Sequence, residues 1–281
     1  MKNIFLALLL VTLTMPAFAA DQKESAFDRV MRTRTIQCGY ILYEPVVMKD
    51  PNTGEISGLM PEIMSEIASR LNMKIEWTVE SSYATYSEDI KKPNVDLLCS
   101  TFWGGVEVGQ FGITAMPLWY SGVGIYVRAD DTRFDKNYWV INDSGVTISS
   151  VDGTIPADIA KKDFPKAKIL SSPAMSDYSV NLLNVANGKA DVTFVEVSQG
   201  AAFLKNNPGQ LKNIIPDAPL RVYPNSVLVS VHETEIWHFM NSALIDLKSE
   251  GLIDRLVDKY EPAPGAWYRM ANPYKPYEVK K

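Results

Sequence analysis

Cysteine is almost absent: Cys38 and Cys99 are the only two in 281 residues. That excludes a small disulfide-stapled scaffold, so the core has to come from ordinary apolar packing. Histidine is as scarce. His232 and His238 lack H-E-x-x-H spacing and both flank an expected helix start, so capping or surface roles are expected and no metal site. Basic charge is dilute. The chain nets −5 with a pI near 5.2, which gives no footprint for nucleic acid, and Lys161-Lys162 reads as a solvated helix face. Neither G-x-S-x-G nor a Walker sequence is present. Gly122-x-Gly124 lies inside an expected strand rather than in a strand-to-helix turn, so it is not a dinucleotide loop. Neither an enzyme nor a cofactor is expected. After the N-terminal leader no apolar run is long enough to span a bilayer.

What is present begins with Lys2, an apolar run over residues 4–11, and Ala17-Phe18-Ala19 as a small-x-small cleavage site. This is the pattern of a secretory signal peptide, residues 1–19, cut after Ala19, and it directs the mature chain to the periplasm. No cysteine stands at the cut, so no lipid anchor is expected. The remaining chain of about 260 residues is long enough for one large domain or two lobes. An oxidising compartment permits one disulfide bridge.

The most strongly patterned stretch is residues 45–74. Asp50, Pro51, Asn52 and Gly54 make a turn sequence. Leu59, Ile63, Met64, Ile67, Ala68 and Leu71 then recur at helical spacing, with Pro61 in the first turn and Asn72 suited to end the helix. Strands are expected at residues 35–40, 75–79 and 94–99, with a short helix at 86–91. Strand, helix, strand, helix, strand means a parallel sheet with ligands beyond its carboxyl ends. A strand at residues 122–127 leaves this unit and a second begins at 145–150, with helices at 152–164 and 178–186. Lys189-Ala190-Asp191-Val192 echoes Asn94-Val95-Asp96-Leu97, which suggests two lobes on one plan. A strand at 227–231 and helices at 236–247 and 252–260 complete the reading.

Tyr43, Pro45, Asp50, Gly54 and Gly58, together with the run from Asn241 through Ala243, Leu244 and Leu247 to Gly251, resemble the extracellular solute-binding proteins of family 3. These are periplasmic receptors of amino-acid ABC importers. The resemblance covers residues 35–260 and leaves out Trp267, Tyr268, Tyr274 and Tyr277. It implies an α/β, two-lobed, type II periplasmic-binding-protein fold in which each lobe is a mostly parallel sheet flanked by helices. Lobe one is expected at residues 20–125 and 223–281 and lobe two at 126–222, each with its own sheet. The chain would cross near residues 125–128 and 220–223, a two-segment hinge. Cys38 and Cys99 fall on strands that neighbour each other in that fold, so either a bridge or two buried thiols is expected.

The resemblance also implies a ligand site of Tyr40, Tyr43, Tyr83, Ser100, Thr101, Trp103, Glu107, Asp152, Gly153, Thr154 and Glu196. The family grips its ligand's carboxylate with an arginine, but Val108, or Glu107 after a one-residue shift, stands there. Its ammonium-binding acid is kept in kind as Glu196. Tyr40, Phe102, Trp103 and Trp119 have an alternative role as core or rim. Rich in rings and acid, the site implies an amine-bearing or cationic solute delivered to an ABC permease by a monomer. Two alternatives stay open. One is an ordinary amino-acid receptor whose carboxylate is held by backbone amides or by another arginine such as Arg128. The other is a family member turned enzyme or sensor partner.

Overall fold

The computed structural model describes residues 24–270. The signal-peptide reading and Tyr274 and Tyr277 lie outside the described residues. Helix α1 (Ala26–Thr33) starts at Ser25, whose hydroxyl accepts the Asp28 amide, and leads into strand β1 (Thr35–Tyr40). Strands β2 (Met48–Lys49) and β3 (Ile56–Ser57) pair across the expected turn. There Asp50 Oδ1 accepts the amides of Asn52 and Thr53 at 2.7 and 2.9 Å. Helix α2 (Leu59–Arg70) follows, and Gly58 at its entry has φ +121°, where a Cβ would press on the Val46 carbonyl. The helix buries Leu59, Ile63, Met64, Ile67 and Ala68, the apolar face read from the sequence. Strand β4 (Lys74–Glu80), helix α3 (Tyr86–Asp89) and strand β5 (Leu97–Trp103) complete the parallel unit, with β1 between β4 and β5.

Strand β6 (Gly112–Thr114) precedes the ten-residue β7 (Trp119–Arg128). The second unit is β8 (Thr147–Val151), α4 (Ile155–Asp163), β9 (Lys168–Ser172), α5 (Ser179–Ala186) and β10 (Val192–Glu196). Helix α6 (Val197–Asn206) and strand β11 (Leu211–Asn213) lead to the ten-residue β12 (Arg221–Ser230). Helices α7 (Thr234–Ser249) and α8 (Leu252–Tyr260) pack on the first unit, and β13 (Trp267–Tyr268) ends the described chain. Strand order is β4-β1-β5-β12-β7-β10-β8-β9, with β6 on β12 and β11 and β13 on β7.

Two separate sheets were expected; the hydrogen bonding is instead continuous. Each of the two long strands serves both halves and they pair antiparallel with each other, Arg221 opposite Val123 through Asn225 opposite Trp119. Beyond Gly122, β7 turns to β10 and β11, while β12 beyond Asn225 runs along β5 and β6. Ten extended residues span about 33 Å, enough to join both halves. Apolar clusters still separate. One gathers α2, α7 and α8 on the first half around Leu59, Ile63, Leu97 and Met240, and another gathers α4 on the second around Ile125, Ile148, Phe164 and Phe194.

The echo between Asp96 and Asp191 has a physical basis. Asp96 Oδ2 accepts the Gln37 amide at 2.7 Å while its own amide donates to the Gln37 carbonyl at 2.8 Å. Asp191 does the same with Thr147, at 2.9 and 2.8 Å. Each acid staples its strand to the neighbour and takes an arginine as counter-ion, Arg29 for Asp96 and Arg133 for Asp191. Cys38 and Cys99 are disulfide-bonded between β1 and β5, Cα atoms 5.4 Å apart.

Candidate functional site

Both halves of the sheet close around a cavity of about 90 Å³ beyond the carboxyl ends of β1, β4, β5, β8 and β10. This is where a parallel α/β sheet leaves strand-end groups free to meet a ligand. The first half supplies rings: Tyr43, Tyr83, Tyr86, Phe102 and Trp103, with Thr101 and Val108 among them. The second supplies residues 153–156 at the start of α4, then Tyr178, Glu196 and Gln199, and Asn225 of β12 lies between. Rings from opposite sides meet, since Tyr83 is set edge-on against Tyr178 with centroids 5.4 Å apart. Trp103 lies nearly flat on Tyr223 at 4.8 Å.

Glu196 ends β10, stands at the N-cap position of α6 and is 7 % exposed. It is the one charged residue among the described residues lining the cavity. Its Oε1 accepts three hydrogen bonds, from Ser121 Oγ and Ser198 Oγ at 2.7 Å each and from Trp267 Nε1 at 3.0 Å. Oε2 accepts one, from the Tyr43 hydroxyl at 2.5 Å. Four neutral donors thus replace the water that a buried carboxylate gives up. A directed relay backs them: Trp103 Nε1 donates to Asn225 Oδ1 (3.1 Å), and Asn225 Nδ2 donates to Ser121 Oγ (2.7 Å). Such chains polarise bond by bond. Burial, and then the charge of Glu196, push the Tyr43 phenol well above its ordinary pKa, so it stays a donor. Burial likewise raises Tyr83 and Tyr178.

Of the residues read from the sequence, Tyr43, Tyr83, Thr101, Trp103, Gly153, Thr154 and Glu196 come together here. Tyr40, Ser100, Glu107 and Asp152 do not. Tyr40 packs into the core edge-on to Trp77 at 5.6 Å, its hydroxyl toward Glu80. The Ser100 hydroxyl is consumed by both backbone groups of Ile41, at 2.7 and 2.8 Å. Glu107 is exposed in the turn after β5, and Asp152 is exposed with its amide on the Ser172 carbonyl. Val108, rather than Glu107, faces the cavity, so an isopropyl group stands where the resemblance calls for a guanidinium. Arg128 is no substitute. It donates to the Ala190 carbonyl at 2.9 Å and pairs with Asp191.

Sequence reasoning missed Tyr86, Tyr178, Gln199 and Asn225 as lining residues, and the support of Ser121, Ser198 and Trp267. Tyr178 follows the end of β9, so the strand-end rule that found Tyr83 reaches it too. Asn225 and Trp267 carried no such signal, because pairing across the crossing strands brings them in.

Residues 36–263 match the family described as bacterial extracellular solute-binding proteins, family 3. A protein of Campylobacter jejuni described as "Probable histidine-binding protein" is 23% identical over 264 residues, covering 92% of this chain and 98% of its own. Among solved structures, an ancestral amino acid-binding protein, a precursor of cyclohexadienyl dehydratase, superposes with a TM-score of 0.72 at 22% identity, covering 85% of this chain and all of its own. A mutant of ArgBP from T. maritima gives a TM-score of 0.69 at 23% identity, covering 84% and 98%. Those identities establish the fold and leave the ligand to the chemistry of the site. With the family matched over most of its length, this chain belongs to the bacterial extracellular solute-binding proteins of family 3.

Proposed function

We propose that the protein reversibly captures a small amine-bearing or cationic solute in this cavity and, as a monomer, presents it to an ABC importer, with no chemistry on the ligand. One observation carries the reading. The buried Glu196 carboxylate faces an aromatic cavity with no cation among its described lining residues, and its oxygens are unevenly occupied. Among the described residues, Oε1 holds three donors and Oε2 one. A carboxylate oxygen accepts two or more hydrogen bonds, so Oε2, with one, retains capacity for an ammonium hydrogen bond. Tyr83, Trp103 and Tyr178 then surround the cation, each ring contact worth about 0.5 to 2 kcal/mol. The two halves of the sheet act as lobes that close on the solute about β7 and β12.

A second reading has its own support. Gly153 and Thr154 put the N-terminus of α4 on the cavity wall, where backbone amides and the helix dipole hold a carboxylate. The solute is then an amino acid, in keeping with the name of the Campylobacter relative. A thermal-shift screen of ligand-stripped protein against amines, amino acids and sugars separates them. Saturation at about 100 times Kd adds roughly 2.7 kcal/mol of stability. Stabilisation by diamines and quaternary amines, without response to zwitterionic amino acids, supports the first reading; the reverse pattern supports the second.

A further inference from the structure

Strand β13 lies past residue 263, where the family match ends, yet it reaches the heart of the site. It pairs antiparallel with β7, Trp267 opposite Ser121 and Tyr268 opposite Tyr120, just before β7 passes to the other half of the sheet. The strap is tied down behind. Glu261 Oε1 accepts the Trp267 amide at 2.8 Å, and Arg269 donates to the Trp267 carbonyl at 3.0 Å and pairs with Glu261 and Asp258. The Trp267 indole is 2 % exposed, rests on Trp119 with ring centroids 5.0 Å apart, and spends its N–H on Glu196 Oε1.

From this geometry we infer that the C-terminal strap is part of the binding machinery: Trp267 is a positioning residue that keeps Glu196 Oε1 turned from the cavity so that Oε2 meets the ligand's amine. The inference rests on the amine reading above and deepens it. Ser121 and Ser198 are flexible hydroxyl rotors, whereas the indole N–H is fixed by a ring wedged in the core and by a strand pair. It is the rigid donor of the three on Oε1. The strap therefore couples residues beyond the family match to the one charged group among the described residues lining the cavity. Tail residues that look dispensable by family comparison set the geometry of the anchor.

The test is a double-mutant cycle of Trp267→Phe and Glu196→Gln, which keeps an aromatic ring on Trp119 and removes the N–H and the charge in turn. Calorimetry with putrescine should show about a tenfold loss of affinity for Trp267→Phe in the wild-type background and none in the Glu196→Gln background. An equal loss in both backgrounds, or no loss in either, overturns the inference, because a merely structural strap acts independently of the carboxylate. Should wild-type protein not bind putrescine, the amine reading fails and the positioning role falls with it. Melting temperatures of the same four proteins then judge the remaining claim. Non-additive shifts uphold the link between strap and acid, and additive shifts refute it.

Discussion

At the scale of single residues, the two strand-start aspartates do structural work and Glu196 does not follow their pattern. Asp96 and Asp191 each have an arginine counter-ion, while the donors to Glu196 among the described residues are all neutral. A buried charge paired only with dipoles leaves a negative field in the space beside it, which a cationic guest neutralises. Asp191 offers a clean pH test. Burial pushes its carboxyl up, but the hydrogen bonds from Arg133 and the Thr147 amide outweigh that and leave it below the ordinary range. A group with a depressed folded pKa binds fewer protons when folded. Its contribution is complete above the unfolded value, about 3.9, and fades as pH falls through the folded value. Asp191→Asn should therefore cost about 1.5 kcal/mol at pH 7 by denaturant melts, with the gap to wild type closing as the pH falls through the depressed folded value. A gap independent of pH would mean that the charge contributes nothing.

Elements differed in how far the sequence exposed them. The turn at Asp50 and helix α2 were legible because turn chemistry, periodicity and cap residues agree locally. Helix α6 was not read from the sequence. In the fold its Gly200 lets the helix lie against Tyr126 of β7, since a Cβ there would overlap the Tyr126 ring. Gly200→Ala should thus destabilise by about 1 to 3 kcal/mol despite its better helix propensity, measured by chemical denaturation. Stabilisation would show that α6 can shift. Half of the site was legible: Tyr43 and Tyr83 follow expected strand ends, and Gly153 came from the family resemblance. Tyr40, Ser100 and Asp152 were misplaced because residues at or beside a strand end point either to the cavity or away from it, and tertiary packing decides which. The continuous sheet was hidden because nothing local distinguishes two crossing strands that pair from two that do not.

For the whole molecule, the disulfide ties β1 to β5, the strands that lead to Tyr43 and carry Thr101, Phe102 and Trp103 of the cavity wall. Cys38 and Cys99 are 61 residues apart, and removing both as Cys38→Ala/Cys99→Ala should lower the unfolding free energy by about 2 to 4 kcal/mol. Unchanged stability would show that packing alone holds those strands. In the proposed reading, Tyr43 on the first half and Glu196 and Tyr178 on the second hold one solute between them. The measurement that bears most directly on this is calorimetry of ligand-stripped protein with putrescine and with L-glutamine, on wild type and on Glu196→Gln. Saturable binding of putrescine, weakened by about 1.5 to 3 kcal/mol in Glu196→Gln, with no heat from glutamine, is the expected result. Tight binding of glutamine with no response to putrescine, or putrescine binding that Glu196→Gln leaves unchanged, would contradict it.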